Sequence, residues 1–132
     1  MRHVLVLPYP PSVNALFTPI ARGKFARIIK TKAYREYHDA VGQALRTQWN
    51  ERPISAEQQL AVTLVAYRPR RIGDLDNVRK AVLDVLQGVD RVLENDSCIV
   101  EDHGFRRDDK DNPRVVVILT NPGAPVSLRG IE

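Results

Sequence analysis

The sequence predicts an α/β (α+β) fold, a single two-layer domain with a mixed β-sheet and two main helices. Three observations carry that reading. Residues 60–67 are apolar on both strand faces and residues 114–120 form a second apolar run, as strands of a covered sheet do. Residues 32–50 and 75–88 repeat apolar positions three and four apart, the period of a helix with one buried face. The strand and helix patterns alternate too irregularly for a doubly wound sheet.

At 132 residues the chain is long enough for one domain with a real core, so a single domain over 1–132 is expected, with 121–132 a surface tail. The apolar run 3–7 reads as a buried strand that Pro8 ends. It is too short for a signal peptide or a membrane span, so a cytoplasmic protein with no membrane partner is expected. Residues 12–30 read as irregular, with 16–18 and 25–29 pairing as a small hairpin around Gly23. Thr31 is a usable helix N-cap, and Tyr34, Tyr37, Val41, Ala44, Leu45 and Gln48 or Trp49 follow at helical spacing, with the tyrosines and Trp49 read as core. The run 60–67 belongs at the centre of the sheet. Leu75, Val78, Val82, Leu86 and Val89 mark one face of the second helix, with Asp74 as its N-cap and Gly88 as its stop. A short strand over 97–101, a charged turn over 102–113 and the strand 114–120 complete the reading.

Net charge is +4 with a pI near 9.5, a weak pointer to a polyanionic partner. Its distribution says more. Between positions 20 and 35 stand six basic residues, Arg22, Lys24, Arg27, Lys30, Lys32 and Arg35, and no acidic one. Of these, Arg22, Lys24, Arg27 and Lys30, with Arg70 and Arg71, are expected to face phosphates. Cys98 is the single cysteine, which excludes an internal disulfide and fits a reducing compartment; as a thiol without a base partner it reads as buried and inert. His3, His38 and His103 have no zinc-site spacing. His103 lies near the acidic residues in sequence and is a candidate for a supporting role.

Chemistry concentrates in Gly73-Asp74-Leu75-Asp76-Asn77-Val78-Arg79-Lys80. Two carboxylates one residue apart fall where a basic stretch ends and a helix begins, and a helix N-terminus favours negative charge. Asp76, Lys80 and Asp84 follow at i, i+4 and i+8, so they share a stripe, with Asn77 beside them. Glu94-Asn95-Asp96 lies downstream. Oxygen donors of this kind suit a hard divalent ion, Mg2+ or in its place Mn2+. Asp74, Asp76 and Asp96 are expected to converge as metal ligands, and Lys80 to stabilise charge developing on phosphate. Asn77 and Asp84 would support them, Asp84 either as a partner that orients Lys80 or in a plain helix salt bridge.

Asp74-Leu75-Asp76-Asn77, Lys80, Asp84-Val85-Leu86 and Asp96 together resemble the signature of the RusA family of Holliday junction resolvases. Pro11-Ser12-Val13-Asn14 is similar to the family's proline-serine-x-asparagine entry, and the likeness runs from about residue 7 to 120. It implies a RusA-like fold, a bacterial or phage-encoded homodimer, magnesium dependence and paired cuts across a four-way DNA junction. By matching positions it makes Asp74, Asp76 and Asp96 the metal carboxylates and Lys80 the essential basic residue. The family commonly carries two acidic residues in a row at the third position; here the first is Asn95, preceded by Glu94. Competing expectations are a catalytically inactive branched-DNA-binding or phage regulatory protein, and a nuclease for other branched DNA.

Overall fold

Two helices lie across one face of a four-stranded sheet, and each helix is placed by the stripe that its sequence periodicity marked. The computed structural model describes residues 1–12, 17–22, 25–71, 74–88 and 92–131; for 17–22 and 25–30 it is the backbone that is described. Chain order is β1 (Arg2–Pro8), β2 (Phe17–Arg22), β3 (Phe25–Lys30), α1 (Lys32–Arg46), β4 (Leu60–Arg68), α2 (Leu75–Leu86), β5 (Ile99–Asp108) and β6 (Arg114–Thr120). The main sheet has the order β1-β6-β4-β5. β6 runs antiparallel to both β1 and β4, whereas β4 and β5 are parallel. The sheet is therefore mixed, and β4–α2–β5 is a parallel crossover unit.

The apolar run of β4 belongs between β6 and β5, with eight of its nine residues buried. Its even-numbered side chains, Leu60, Val62, Leu64 and Ala66, join Leu5, Leu7, Val115, Val117 and Leu119 beneath the helices. There they meet Tyr34, Tyr37, Val41 and Leu45 of α1 and Val78, Val82, Val85 and Leu86 of α2. Burying one such Val or Leu fully contributes roughly 1.5–3 kcal/mol. The odd-numbered residues Val65 and Tyr67 face away, packing with Val116 and Ile118 and with Leu128 and Ile131 of the tail. The tail is mostly exposed yet tied down: Tyr67 donates its hydroxyl to the Ile131 carbonyl (3.2 Å), and Arg2 donates to that of Arg129 (2.9 Å).

The expected hairpin is present as the β2–β3 pair, with Phe17 opposite Lys30 and Arg22 opposite Phe25. Leu16, Gly23 and Lys24 of that reading lie outside the described residues. Thr31 caps α1 by accepting from the Tyr34 amide. The helix stops at Arg46, short of the expected residue 50, because the amides of Gln48 and Trp49 both turn back to the Leu45 carbonyl. Trp49 still reaches the core from that turn. The Gln48 carboxamide accepts from the Val6 amide (2.7 Å) and donates to the Val6 carbonyl (2.8 Å), filling a place on the open edge of β1.

One expectation is corrected. The strand expected over 97–101 starts two residues later and runs through much of the segment 102–113 that read as a turn. Asp96–Cys98 is a single 3₁₀ turn, and β5 then runs ten residues alongside β4, from Ile99 opposite Leu60 to Asp108 opposite Arg68. The charged side chains that read as a turn alternate along a sheet edge, where charge is tolerated and discourages further pairing.

Candidate active site

The β4–α2–β5 crossover puts the N-terminus of α2 at the carboxyl ends of two parallel strands, the place where open sheets with such units bind ligands. β1 points the same way, since both it and β4 are antiparallel to β6. Its exit, Tyr9 to Ser12, therefore reaches the same end of the sheet. Glycine at 104 lets the first turn of α2 settle on β5: a Cβ there would stand 2.8 Å from Leu75 Cδ2.

Asp74 is the N-cap of α2, accepting from the Asp76 amide through Oδ1 (2.9 Å). That leaves its second oxygen without a partner among the described residues. Asp76 is exposed; its Oδ1 receives Arg79 Nη2 (2.8 Å), and Arg79 Nη1 reaches Asp102 Oδ2 on β5 (2.6 Å). Arg79 thus bridges the helix start to the neighbouring strand and holds one orientation of Asp76. Asp76 stays 73% exposed in this pair, so the bridge orients the carboxylate without burying it. Asn77 and Lys80 are exposed along the same side, and Lys80 makes no ion pair with a described residue.

The carboxylate pair fits a hard divalent ion: both groups are oxygen donors open to solvent, each with one oxygen that no described residue engages. Magnesium in nucleic-acid enzymes typically takes only one or two protein carboxylates. Asp96 is placed elsewhere. Its amide donates to Gln87 Oε1 (3.1 Å) at the C-cap of α2, eleven residues beyond Asp76, or about 16 Å along the axis at a rise of about 1.5 Å per residue. Among the described residues no three His, Cys, Asp or Glu side chains form a group that could hold a metal. Asn95 is a cap as well, accepting from the Ser97 amide (2.9 Å).

Asp84, one turn beyond Lys80 on α2, accepts from the Tyr34 hydroxyl of α1 (2.5 Å). Burial raises the Tyr34 pKa well above 10.0, and the bond to Asp84 and that carboxylate's charge push the same way. Asp84 therefore joins the two helices. His103 points to the opposite face of the sheet, with Thr63 and Ile118, and does not approach the carboxylates. Its position in β5 explains this, for it is the even-numbered residues of that strand that meet α2. Cys98 is buried and burial pushes its pKa up, as an inert thiol requires.

Of the arginines before Asp74, Arg68 binds Asp108 Oδ1 through two nitrogens (3.1 and 2.9 Å), and Arg71 comes within 3.5 Å of Oδ2 while staying solvent-exposed. Arg70 is exposed at the rim of a cleft of about 520 Å³ that Asp74 and Asn77 also border. Lys24 and the side chains of Arg22, Arg27 and Lys30 lie outside the described residues, as do Gly73, Val13 and Asn14. Sequence reasoning missed Arg79 and Asp102. The i, i+3 spacing of Asp76 and Arg79 was a usable signal; Asp102 had none, because its strand was read as a turn.

No helix among the described residues is long and apolar enough to cross a membrane. No curated protein matches the chain. A family model does: endodeoxyribonuclease RusA matches residues 8–120.

Proposed function

The chain belongs to the RusA endodeoxyribonuclease family, and on that premise we propose that it resolves four-way DNA junctions by paired, magnesium-dependent phosphodiester hydrolysis. The observation that carries this reading is the pair Asp74 and Asp76, exposed at a helix start where the sheet's parallel strands end. In the proposal these two carboxylates hold Mg2+, with Mn2+ as a substitute. When bound, the ion supplies positive charge next to the phosphate and lowers the pKa of water. Lys80 presents its ammonium to charge developing on the phosphate oxygens, and Asn77 lies between Lys80 and the carboxylates. Arg79, anchored on Asp102, keeps Asp76 oriented. Arg70 and Arg71, with Arg22, Lys24, Arg27 and Lys30, contact phosphates and position the DNA.

The working unit is a two-fold homodimer acting in the cytoplasm of a bacterial cell, from a host or prophage gene. A junction has approximate two-fold symmetry, so two copies of one site meet symmetry-related strands. Asp96, beyond the opposite end of α2, stands apart from this pair within one subunit, and its place in the metal set is the part of the proposal that Asp96→Asn tests.

A cleavage assay on a four-way junction, a flap and a linear duplex, with magnesium, manganese or chelator, tests the reading. Paired nicks in the junction that vanish with chelator, and a dimer mass by light scattering, are expected. Cutting confined to flaps would favour a nuclease for other branched DNA. Junction binding without cutting would favour the inactive or regulatory alternative. Asp96→Asn cutting at the wild-type rate would remove Asp96 from the metal set.

A further inference from the structure

The cleft beside the carboxylates differs in chemistry from a phosphate-binding surface. Its volume of about 520 Å³ lies in the range of roughly 300–1,000 Å³ typical of small-ligand sites. Its walls are rings: Tyr9, Pro10 and Pro11 from the exit of β1, Pro69 after β4 and Pro113 before β6. Such flat apolar faces attract a planar aromatic group and offer a phosphate nothing. Tyr9 packs partly into the core, and burial raises its pKa above 10.0 against the opposing pull of Arg68, so the ring stays neutral at pH 7. Among the described residues its polar lining is Arg70, Asp74, the Ser12 hydroxyl and the Asn77 carboxamide, which bonds no described residue. A carboxamide offers donors and an acceptor side by side, the pattern that reads the edge of a base.

Position completes the case. Asp74 and Asn77 border both the cleft and the carboxylate site, and Arg70 stands at the rim. A strand whose phosphate lies at Asp74 and Asp76 has an adjoining base within reach of the cleft. A duplex is too wide to enter; a single base turned out of its stack is not. From the ring-lined cleft and a carboxamide beside the carboxylates that bonds no described residue, we infer that the cleft receives one unstacked base of the strand being cut, held between Tyr9 and the proline rings and read by Asn77. This rests on the nuclease reading above and adds a source of sequence preference to it. Junction centres and nicked ends suit such a site, because their bases are the least costly to unstack.

The experiment uses four-way junctions carrying one abasic nucleotide, moved position by position through the cut site. Single-turnover cleavage in magnesium and binding in calcium are both measured, for wild type, Tyr9→Leu, Tyr9→Phe and Asn77→Ala. Stacking of a base on an aromatic side chain predicts a penalty of about tenfold at one position flanking the cut and under about twofold elsewhere. Tyr9→Phe keeps that penalty; Tyr9→Leu and Asn77→Ala reduce it to about threefold or less. Asn77 is exposed, so its variant folds whether or not Tyr9→Leu does. Wild-type cleavage with no position-specific penalty, or an equal penalty in Asn77→Ala, overturns the base site and leaves the nuclease reading standing. A protein that neither binds nor cuts junctions overturns both.

Discussion

At the N-terminal end of α2, Asp76, Asn77 and Lys80 are exposed, and Asp74 spends one oxygen on its own helix and none on any other described residue. At the C-terminal end almost every polar group is consumed by the chain. The Leu86 carbonyl accepts from the amides of Val92 and Leu93 (2.9 and 3.1 Å). Gln87 accepts from the Asp96 amide and donates to the Leu83 carbonyl. Asp84 takes the Tyr34 hydroxyl, and Gly88 lies under the His38 ring. One helix thus has an end consumed by folding and an end where, among the described residues, each carboxylate keeps an oxygen and Asn77 and Lys80 keep their side chains open to solvent. Groups that a fold could have used and did not are where function is expected.

The largest effect should come from the open end. Asp74→Asn and Asp76→Asn should each lower junction cleavage at least about a hundredfold, since several kcal/mol of charge stabilisation are lost and each ~1.36 kcal/mol is a factor of ten. The unfolding midpoint should hardly move. Asp74→Asn is the sharper test, because Asn caps a helix as well as Asp does. Asp74→Ala should in addition lose about 1 kcal/mol of stability. If Asp74→Asn cuts at the wild-type rate, the residue is a cap and the contrast between the two ends collapses.

Arg79→Ala should come next. Loss of a group that orients a ligand lowers metal affinity or activity by about 10–100-fold. The magnesium concentration for half-maximal cleavage should rise, and Arg79→Lys should restore little, since a lysine cannot bridge Asp76 and Asp102 with a planar fork. Stability should change little, because the pair is partly solvated.

At the closed end the signs reverse. A Cβ on residue 88 would lie 2.0 Å from His38 Nε2. Gly88→Ala should therefore cost about 1 kcal/mol by overpacking and leave cleavage per folded molecule unchanged. Adding His38→Ala should recover most of that loss. An additive double variant in chemical denaturation would show that the contact is not the cause.

The smallest effect concerns Tyr34, where Tyr34→Phe should cost about 1 kcal/mol through the lost hydrogen bond. The pKa of Tyr34 is raised in the folded state, as is that of buried Tyr37. For such groups the stabilisation is fully present below the unfolded value of 10.0 and is lost as pH rises beyond it. Denaturation midpoints should therefore be insensitive to these tyrosines up to about pH 10 and fall above it, with a shallower fall in Tyr34→Phe.

Much of this was legible in the chain. β4 and β6 show themselves by apolar content alone, and both helices by periodicity and by Thr31 and Asp74 at their caps. The two parallel neighbours diverge: β4 is buried between strands, whereas β5 lies at an edge and carries Asp102, Arg106 and Asp108 on one face. Its strand character comes from pairing with β4, and pairing leaves no local trace in composition. What depended on β5 was lost with it, namely the Arg79–Asp102 bridge and the true direction of His103. The carboxylate pair was readable because local sequence sets it; the placement of Asp96 depends on Gln87, a contact between separate segments.

The Gln48 carboxamide on β1 has a consequence for how the protein behaves in a crowded solution. An open strand edge invites the same edge of another molecule, the first step toward runaway stacking. Gln48 occupies both backbone groups of Val6 much as the next strand would. A single side chain thus works as a terminator, ending the ladder within the molecule midway along the strand.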